Sequence, residues 1–225
     1  MPVAIITGAS RGLGRALAHG LAGAGWRVVV DARNAAALTF STPAITALAG
    51  DVTDPAHRVA LVAAADRLGG ADLLVNNAGI LGPSPQPRLA DYPLDALREV
   101  YEVNVFAPLA LTQLALPGLR ARKGAVVTVT SDAAIEGYAG WGGYGSAKAA
   151  AEQASRVLAE EEPALRVWWV DPGDLRTRMH QEAFPGEDIS DRPEPETVVP
   201  AFRHLVQTRP PSGRIRLGDL LVTAP

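Results

Sequence analysis

The sequence predicts an α/β fold in which one doubly wound parallel sheet of about seven strands is flanked by helices on both faces. Two observations favour this fold. Short apolar runs alternate with longer segments of helical period along the 225 residues. The runs are continuously apolar, as in strands that are buried on both faces of a sheet. The length suits one domain with a large core, so residues 1–225 are expected to form a single unit.

The first half of the chain supplies four of the predicted strands. "VAIIT" (3–7) and "RVVVD" (27–31) are short and β-branched, "ITALAGD" (45–51) contains a weaker strand, and "DLLVNN" (72–77) is the fourth. Between them, 14–25 and 55–69 have a helical period, and Pro55 suits a first helical position.

The second half continues the same alternation. Strands are predicted at 125–130, 166–171 and 214–217, and helices at 94–122, 144–161 and 196–207. The segment 94–122 is interpreted as one long helix that bends at Pro108, because proline lacks a backbone donor. Trp168 and Trp169 are adjacent on a strand, so they should face opposite sides and serve in packing.

Composition excludes several classes of function. The net charge is −3, so no attraction to nucleic acid or to an anionic membrane is expected. The chain has no cysteine, which excludes disulfides and thiolate metal sites, and no metal is expected. No apolar run approaches the ~18 residues of a membrane span, and "MPVAIITGAS" lacks a basic leader, so a cytoplasmic location is expected.

The chemistry is expected at the carboxyl ends of the strands, where open parallel sheets bind ligands. The residues there are Thr7, Asp31, Asn76, Thr130 and Asp171. After the first strand, "TGASRGLG" carries glycines at 8, 12 and 14. Glycines allow a tight turn, and the following helix start offers free amides to a pyrophosphate. An ordinary glycine-rich turn is the alternative.

Three motifs identify a family. "TGASRGLG", "NNAG" (76–79) and "YGSAK" (144–148) occur in the order and spacing of the short-chain dehydrogenase/reductase family, which the sequence resembles from residue 3 to about 177. The resemblance implies a Rossmann-like sheet that holds a nicotinamide dinucleotide, and a homodimer or homotetramer assembled through 94–121 and 144–161. The implied cofactor-binding residues are Gly8, Ser10, Arg11, Gly12, Leu13, Gly14, Arg33, Asp51, Val52, Asn77, Ala78, Gly79, Tyr144, Lys148, Pro172, Gly173 and Thr177.

The cofactor is predicted to be NADP(H), with NAD(H) as the alternative. Asp31 would select NAD by binding the ribose hydroxyls, but in the family that acid falls one residue later, at Ala32. Arg33 and Arg11 lie where NADP-dependent members carry arginines, and a guanidinium binds a 2′-phosphate with charge-assisted hydrogen bonds. For Asp51, expected at the adenine with Val52, the alternative is a turn cap; Asn76 is expected to tie the central sheet together.

Tyr144 and Lys148 are four residues apart in a helical segment, so their side chains share a face. A nearby ammonium lowers the pKa of a phenol, which then exchanges a proton with a substrate oxygen more readily. A surface pair is the alternative. The resemblance implies a catalytic set in which Ser131 holds the substrate oxygen, Lys148 holds the nicotinamide ribose, and Asn104 orders a water near the lysine.

The segment 178–195 corresponds to the family's substrate lid. Met179, His180 and Phe184 are candidates to face a substrate there, although a lone histidine is more often structural. Opposite them, Ile135, Tyr138 and Trp141 are candidates for the other wall of the pocket.

The predicted function is reversible, NADPH-dependent reduction of a small-molecule carbonyl compound, with Tyr144 as acid and base. Two alternatives stay open. One is an NAD-dependent sugar or polyol dehydrogenase or epimerase that uses the same residues. The other is a non-catalytic dinucleotide sensor, although relatives of that kind tend to lose the tyrosine or the lysine. The residues do not identify the substrate.

Overall fold

The computed structural model describes residues 1–221, so the last four residues of the expected domain lie outside the description. Within it, the strands are β1 (Val3–Ile6), β2 (Arg27–Ala32), β3 (Ile45–Ala49), β4 (Leu73–Asn76), β5 (Ala125–Val129), β6 (Arg166–Asp171) and β7 (Gly213–Arg216). They form one sheet in the order β3-β2-β1-β4-β5-β6-β7, and every neighbouring pair is parallel. The predicted doubly wound fold is therefore confirmed.

The helices cover both faces of this sheet. They are α1 (Gly12–Gly23), α2 (Pro55–Arg67), α3 (Leu94–Tyr101), α4 (Ala107–Arg122), α5 (Gly142–Glu161), α6 (Arg178–Ala183), α7 (Val199–Thr208) and α8 (Leu217–Leu221). Alternate strand residues point to opposite faces of the sheet and contribute to two apolar layers. Ile6 packs toward α1 and α7, and Ile5 packs toward α2 and α4. Both isoleucines are fully buried. Trp168 lies in the first layer and Arg156 stacks on the ring of Trp169, as expected for opposite faces.

Element boundaries differ from the predicted ones by a few residues. β3 ends at Ala49, two residues early, and α5 begins at Gly142 instead of Tyr144. A short 3₁₀ turn, Pro195–Val198, leads into α7, because the prolines here start helices better than they continue them.

The predicted single helix over 94–122 is wrong. A π-helical segment, Glu102–Phe106, separates α3 from α4, and the amide of Ala107 donates to the carbonyl of Glu102, five residues back. Pro108 lies in the first turn of α4, where no donor is missed. The wide turn lies one step before the proline and contains Asn104, and π segments of this kind often occur at functional sites.

Within residues 1–221, no helix is both long and apolar enough to cross a bilayer. In the same part of the chain, no group of three or more His, Cys, Asp or Glu side chains is placed to bind a metal ion.

Candidate active site

The predicted site residues meet at the carboxyl edge of the sheet. The chain leaves β1, β4, β5 and β6 there, and these four strands are neighbours in the order given above. The loops that follow carry the glycine turn, "NNAG", Ser131 and the segment after Asp171. The helix α5 brings Tyr144 and Lys148 to the same edge, where its first turns pack against the residues that follow β5.

The glycine turn requires its glycines. Gly8 and Gly12 have φ of 70° and 55°, a region that other residues rarely adopt. A Cβ on Gly14 would lie 2.5 Å from the side-chain nitrogen of Asn77 and 2.6 Å from the carbonyl oxygen of Gly8. Since the first turn of α1 has no capping side chain, its amides stay available to an anion.

Thr7 joins this turn to "NNAG", a role that the motif reading did not assign. Its hydroxyl accepts hydrogen bonds from the amides of Asn77 (3.0 Å) and Ala78 (2.9 Å). The side chain of Asn77 donates in return to the carbonyls of Thr7 (2.8 Å) and Gly8 (3.2 Å). The two cofactor motifs therefore form one rigid surface.

Asp31 is not available to a ribose. It is 1% exposed, and one carboxylate oxygen accepts the amide of Gly8 at 2.7 Å. The other oxygen lies 3.1 Å from Nε2 of His57, a buried residue in the first turn of α2. Each carboxylate oxygen of Asp31 therefore already has a partner within the chain. Sequence reasoning missed His57, because its partner is 26 residues away.

The expected adenosine end holds a cavity of about 350 Å³. Its lining consists of Arg33, Asp51, Thr53, Arg98, Glu99, Glu102 and Val103. Burial alone would raise the pKa of Asp51, but hydrogen bonds from Thr53 and the charges of Arg33 and His57 lower it overall. Thr53 uses one oxygen of Asp51, so the turn-capping alternative is also present in the structure. Val52 is buried in the layer beneath α2.

Two exposed arginines lie on the nearby loops: Arg11 in the glycine turn, and Arg33 after β2, where it lines the cavity. Among residues 1–221, the guanidinium groups of Arg11 and Arg33 form no hydrogen bond or ion pair, and both side chains belong to exposed residues. Leu13, in the first turn of α1, packs against the core, while Ser10 is half-buried in the turn before it. The chain therefore presents two free guanidinium groups beside the turn and the cavity.

Tyr144 and Lys148 are both buried, at 7% and 4% exposure. The lysine nitrogen lies 5.5 Å from the centre of the tyrosine ring and donates to the carbonyl of Val129 at 2.9 Å. An ammonium has three donors, so two are left for a ligand. The hydroxyl of Tyr144 forms no hydrogen bond with any other residue of the described range. The predicted common face is confirmed and the surface-pair alternative is wrong.

Lys148 was expected to lower the pKa of the Tyr144 hydroxyl, but in the chain without a ligand that pKa is raised. Burial raises the pKa of the Tyr144 hydroxyl, and the carboxylates of Asp171 and Asp132 raise it further. Burial also lowers the pKa of the Lys148 amine to about 8. The prediction considered only the ammonium of Lys148. It could not include the burial of the hydroxyl, or the carboxylates of Asp132, which follows β5, and Asp171, which ends β6.

Ser131 begins the turn after β5 and donates to Oδ1 of Asp132 at 2.8 Å. Oδ2 of Asp132 accepts the hydroxyl of Tyr138 at 3.1 Å. Asp132 therefore joins the expected catalytic serine to the pocket wall, which no motif indicated.

Asn104 stands against "NNAG" from the π-helical segment. Its amide donates to the carbonyls of Ile80 and Val100, both at 2.9 Å. A Cβ on Gly79 would lie 2.6 Å from the Asn104 oxygen and 3.6 Å from the Lys148 nitrogen. The wide turn thus brings Asn104 beside Gly79 on the lysine side of the cleft.

The segment after β6 covers this cleft. Thr177 caps α6 and lies close to Gly12 of the glycine turn, since a Cβ there would meet its methyl at 3.4 Å. Gly173 has φ of 76°, and its amide donates to Asp171 at 2.9 Å; Pro172 precedes it. Arg176 closes the loop by an ion pair with Glu194 and a backbone bond to Pro193.

Aromatic rings line the pocket between the two walls. Trp141 lies 6.0 Å from Tyr144, 6.3 Å from Tyr138 and 5.9 Å from Phe184, measured between ring centres. His180 lies 4.9 Å from Phe184, and Met179 packs with Tyr144 and Leu81. Ile135 is 58% exposed at the rim. The predicted wall residues other than Ile135 therefore meet around one apolar space.

These residues fit a nicotinamide dinucleotide. The uncapped helix start offers its amides to a pyrophosphate, and the two spare donors of Lys148 suit a ribose diol.

The chain is similar to proteins of one known family. Residues 2–188 match the model of a family described as short chain dehydrogenase. The chain is 38% identical to the 7alpha-hydroxysteroid dehydrogenase of Escherichia coli K12 over 185 residues, which cover 77% of this chain and 71% of the relative. It is 36% identical to the 1-deoxy-11-beta-hydroxypentalenate dehydrogenase of Streptomyces arenae over 193 residues, or 78% and 68%.

The fold also matches a solved structure. An alcohol dehydrogenase from the archaeon Thermococcus sibiricus, complexed with 5-hydroxy-NADP, aligns with a TM-score of 0.85 and 27% sequence identity. The alignment covers 96% of this chain and 95% of that one.

Proposed function

The chain belongs to the short-chain dehydrogenase/reductase family of NAD(P)-dependent oxidoreductases, and from that premise we propose that it is an NADPH-dependent carbonyl reductase. The observation that carries the proposal is the free hydroxyl of Tyr144, which faces no hydrogen-bonding partner among residues 1–221 while its ring closes an apolar pocket. A buried phenol without a partner is suited to exchange a proton with a ligand.

Bound NADPH would supply the hydride that the carbonyl carbon accepts. Tyr144 donates its proton to the carbonyl oxygen, and the product is the alcohol. Ser131 donates a hydrogen bond to the same oxygen once its hydroxyl turns from Asp132. Lys148 holds the ribose with its spare donors. The side-chain donors of Asn104 bind the carbonyls of Ile80 and Val100, so its oxygen is the atom left to hold a water that returns a proton toward the tyrosine.

The preference for NADPH follows from charge. The carboxylate oxygens of Asp31 are bound by Gly8 and His57, so they are not free to bind a 2′-hydroxyl. Arg11 and Arg33 are free to bind the phosphate. The related archaeal enzyme was solved with an NADP derivative, which agrees with this assignment.

The substrate is an uncharged, apolar carbonyl compound. Trp141 and Met179 pack against Tyr144, and Tyr138 and Phe184 pack against Trp141. An apolar substrate gains free energy by covering such a wall. A keto-sugar would leave its hydroxyls without partners against these rings.

We further infer a homodimer. Leu109 and Leu114 of α4 and Val157 of α5 are 41–45% exposed, which leaves an apolar stripe across two neighbouring helices. Exposed apolar faces of this kind mark interfaces between subunits.

The test is the oxidation of NADPH or NADH by the purified chain with acetophenone, benzaldehyde, menadione or fructose. We expect turnover with an aryl carbonyl and a kcat/KM at least about tenfold higher with NADPH, as charge-assisted hydrogen bonds to a phosphate imply. A preference for NADH with fructose would support the sugar dehydrogenase. NADPH binding without turnover on any of the four compounds would support the sensor.

A further inference from the structure

Arg214 of β7 connects three elements beneath the active site. Its Nη2 donates to the carbonyl of Ser131 and to Oδ2 of Asp171, both at 3.1 Å. Its Nε donates to Oε1 of Glu152 at 3.1 Å. The partners lie at the end of β5, at the end of β6 and on α5, so one side chain spans the part of the site that carries out proton transfer.

Each partner holds a further piece of the site. Glu152 also accepts the hydroxyl of Thr130 at 2.8 Å and stands one helical turn after Lys148. Asp171 also accepts the amide of Gly173, in the loop expected beside the nicotinamide. The side chain of Arg214 is 24% exposed, whereas those of Glu152 and Asp171 are each 5% exposed.

Without Arg214, the buried carboxylates of Glu152 and Asp171 would lose the cation that contacts both of them. Two buried carboxylates share one guanidinium, and a carboxylate buried without a partner is strongly unfavourable. A guanidinium suits this place because its donors point in fixed, forked directions to several acceptors at once. Lysine would bring the charge but a single donor centre.

We propose that Arg214 is a positioning residue for the reaction: it fixes the Ser131 backbone and the Asp171 carboxylate, and it sets the charge beside the Tyr144 hydroxyl. The inference rests on the proposed function. Neither the sequence motifs nor the similarity to relatives assigns a role to this residue.

The charge reaches the tyrosine through Asp171. The charged groups around Tyr144 are Lys148 of its own helix, Asp132 after β5 and Asp171 of β6. From α6, the titratable side chain on this side is His180, which lies against Phe184 and 4.0 Å from Asp174. Of these, Asp171 raises the pKa of Tyr144 most after burial itself. Arg214 offsets that carboxylate at 3.1 Å.

The test compares Arg214→Met, Arg214→Lys and Asp171→Asn with the unchanged chain in alcohol oxidation, where Tyr144 must be deprotonated. The substrate is 1-phenylethanol with NADP⁺, or benzyl alcohol if benzaldehyde was the better carbonyl. Removing the cation should move the rise of kcat/KM to higher pH and lower kcat about tenfold, as misplacement of a reacting group does. Arg214→Lys should restore the pH profile but only part of kcat.

Asp171→Asn should move the profile in the opposite direction, to lower pH, because it removes the carboxylate and keeps an acceptor for Gly173. The control is Arg122→Met. Arg122 also forms three hydrogen bonds, to Asp72 and Gly69, but these lie at the amino-terminal ends of the strands, just before β4. This control should lower thermal stability and leave the pH profile unchanged.

A second readout does not depend on turnover. NADPH binding, followed by its fluorescence, should be retained in all four variants, which shows that they are folded. If Arg214→Met fails this check, the kcat of Arg214→Lys and the pH profile of Asp171→Asn still decide the matter. A full kcat in Arg214→Lys together with an unshifted profile in Asp171→Asn would overturn the role of Arg214, whereas absence of turnover in the unchanged chain would overturn the proposed function instead.

Discussion

Lys148 shows how a single residue changes when it is buried. The chain has two lysines, and the other, Lys123, ends α4 on the surface with a positive φ of 51°. The amine of Lys148 keeps one hydrogen bond to a backbone carbonyl and is otherwise removed from water. Because water stabilises the charged amine, burial lowers its pKa from 10.5 to about 8.

This lowered pKa predicts a pH-dependent stability in the absence of cofactor. Between pH 8 and 10 the unfolded chain keeps the lysine proton and the folded chain releases it, so stability rises with pH. The free energy of unfolding of the unchanged chain, relative to Lys148→Met, should increase by roughly 2 kcal/mol across this range. Urea unfolding at several pH values measures it.

Lys123→Met is the matched control for that measurement. Its difference from the unchanged chain should stay constant with pH, because Lys123 is exposed. An equally flat difference for Lys148→Met would show that the buried amine keeps its ordinary pKa.

The sequence predicts the reacting residues but not their surroundings. The spacing of Tyr144 and Lys148 is local, and helical geometry converts it directly into a shared face. Arg214 contacts Ser131 and Asp171, which are 83 and 43 residues away from it in the chain. No periodicity or motif encodes such contacts, so the acid–base environment of the tyrosine could not be predicted.

At the scale of elements, the π-helical segment is the clearest departure from the prediction. The helical period of residues 94–122 is nearly continuous, so a single helix was the natural interpretation. One extra residue in the turn frees the carbonyl of Val100, which the side chain of Asn104 then binds. A polar residue inside a helical pattern was the available signal, and the sequence analysis used it for a catalytic role but not for a change of helix geometry.

The glycine turn and α1 give a prediction at this scale. Gly14→Ala places a methyl group within 2.6 Å of the Gly8 carbonyl, so the joined surface of Gly8 and Asn77 must shift. We expect a loss of about 2 kcal/mol in stability and at least tenfold weaker NADPH binding. Calorimetry measures both.

Gly23→Ala is the control in the same helix, since a Cβ there meets nothing within 4 Å. It should increase stability by about 0.5–1 kcal/mol through helix propensity and leave binding unchanged. NADPH binding by Gly14→Ala equal to that of the unchanged chain would contradict the assignment of the turn to the pyrophosphate.

At the scale of the molecule, the strand order follows from general rules on βαβ units more than from individual residues. Right-handed crossovers and buried apolar strands leave few arrangements, which is why the sheet could be predicted. The last strand is short and polar, yet it brings Arg214 beneath the site. The function of a short polar strand depends on its neighbours in the sheet, and those are set by the whole chain.

The apolar stripe on α4 and α5 gives a prediction about assembly. Leu114→Arg and Val157→Arg should each convert a dimer into a monomer, because an arginine would be buried against its own copy. Light scattering coupled to size-exclusion chromatography measures the mass. Val59→Arg, on the exposed side of α2, should leave the dimer intact; a monomeric unchanged chain would contradict the inferred interface.

The central claim is that the Tyr144 hydroxyl transfers the proton, and one measurement tests it most directly: kcat for NADPH oxidation by Tyr144→Phe and by Tyr92→Phe. Tyr92 is equally buried, at 6% exposure, and its hydroxyl has no hydrogen-bonding partner in the described chain. We expect Tyr144→Phe to lower kcat about a thousandfold while it still binds NADPH, and Tyr92→Phe to retain full activity. If Tyr144→Phe reduces the carbonyl substrate as fast as the unchanged chain, another group supplies the proton and the account of this site is wrong.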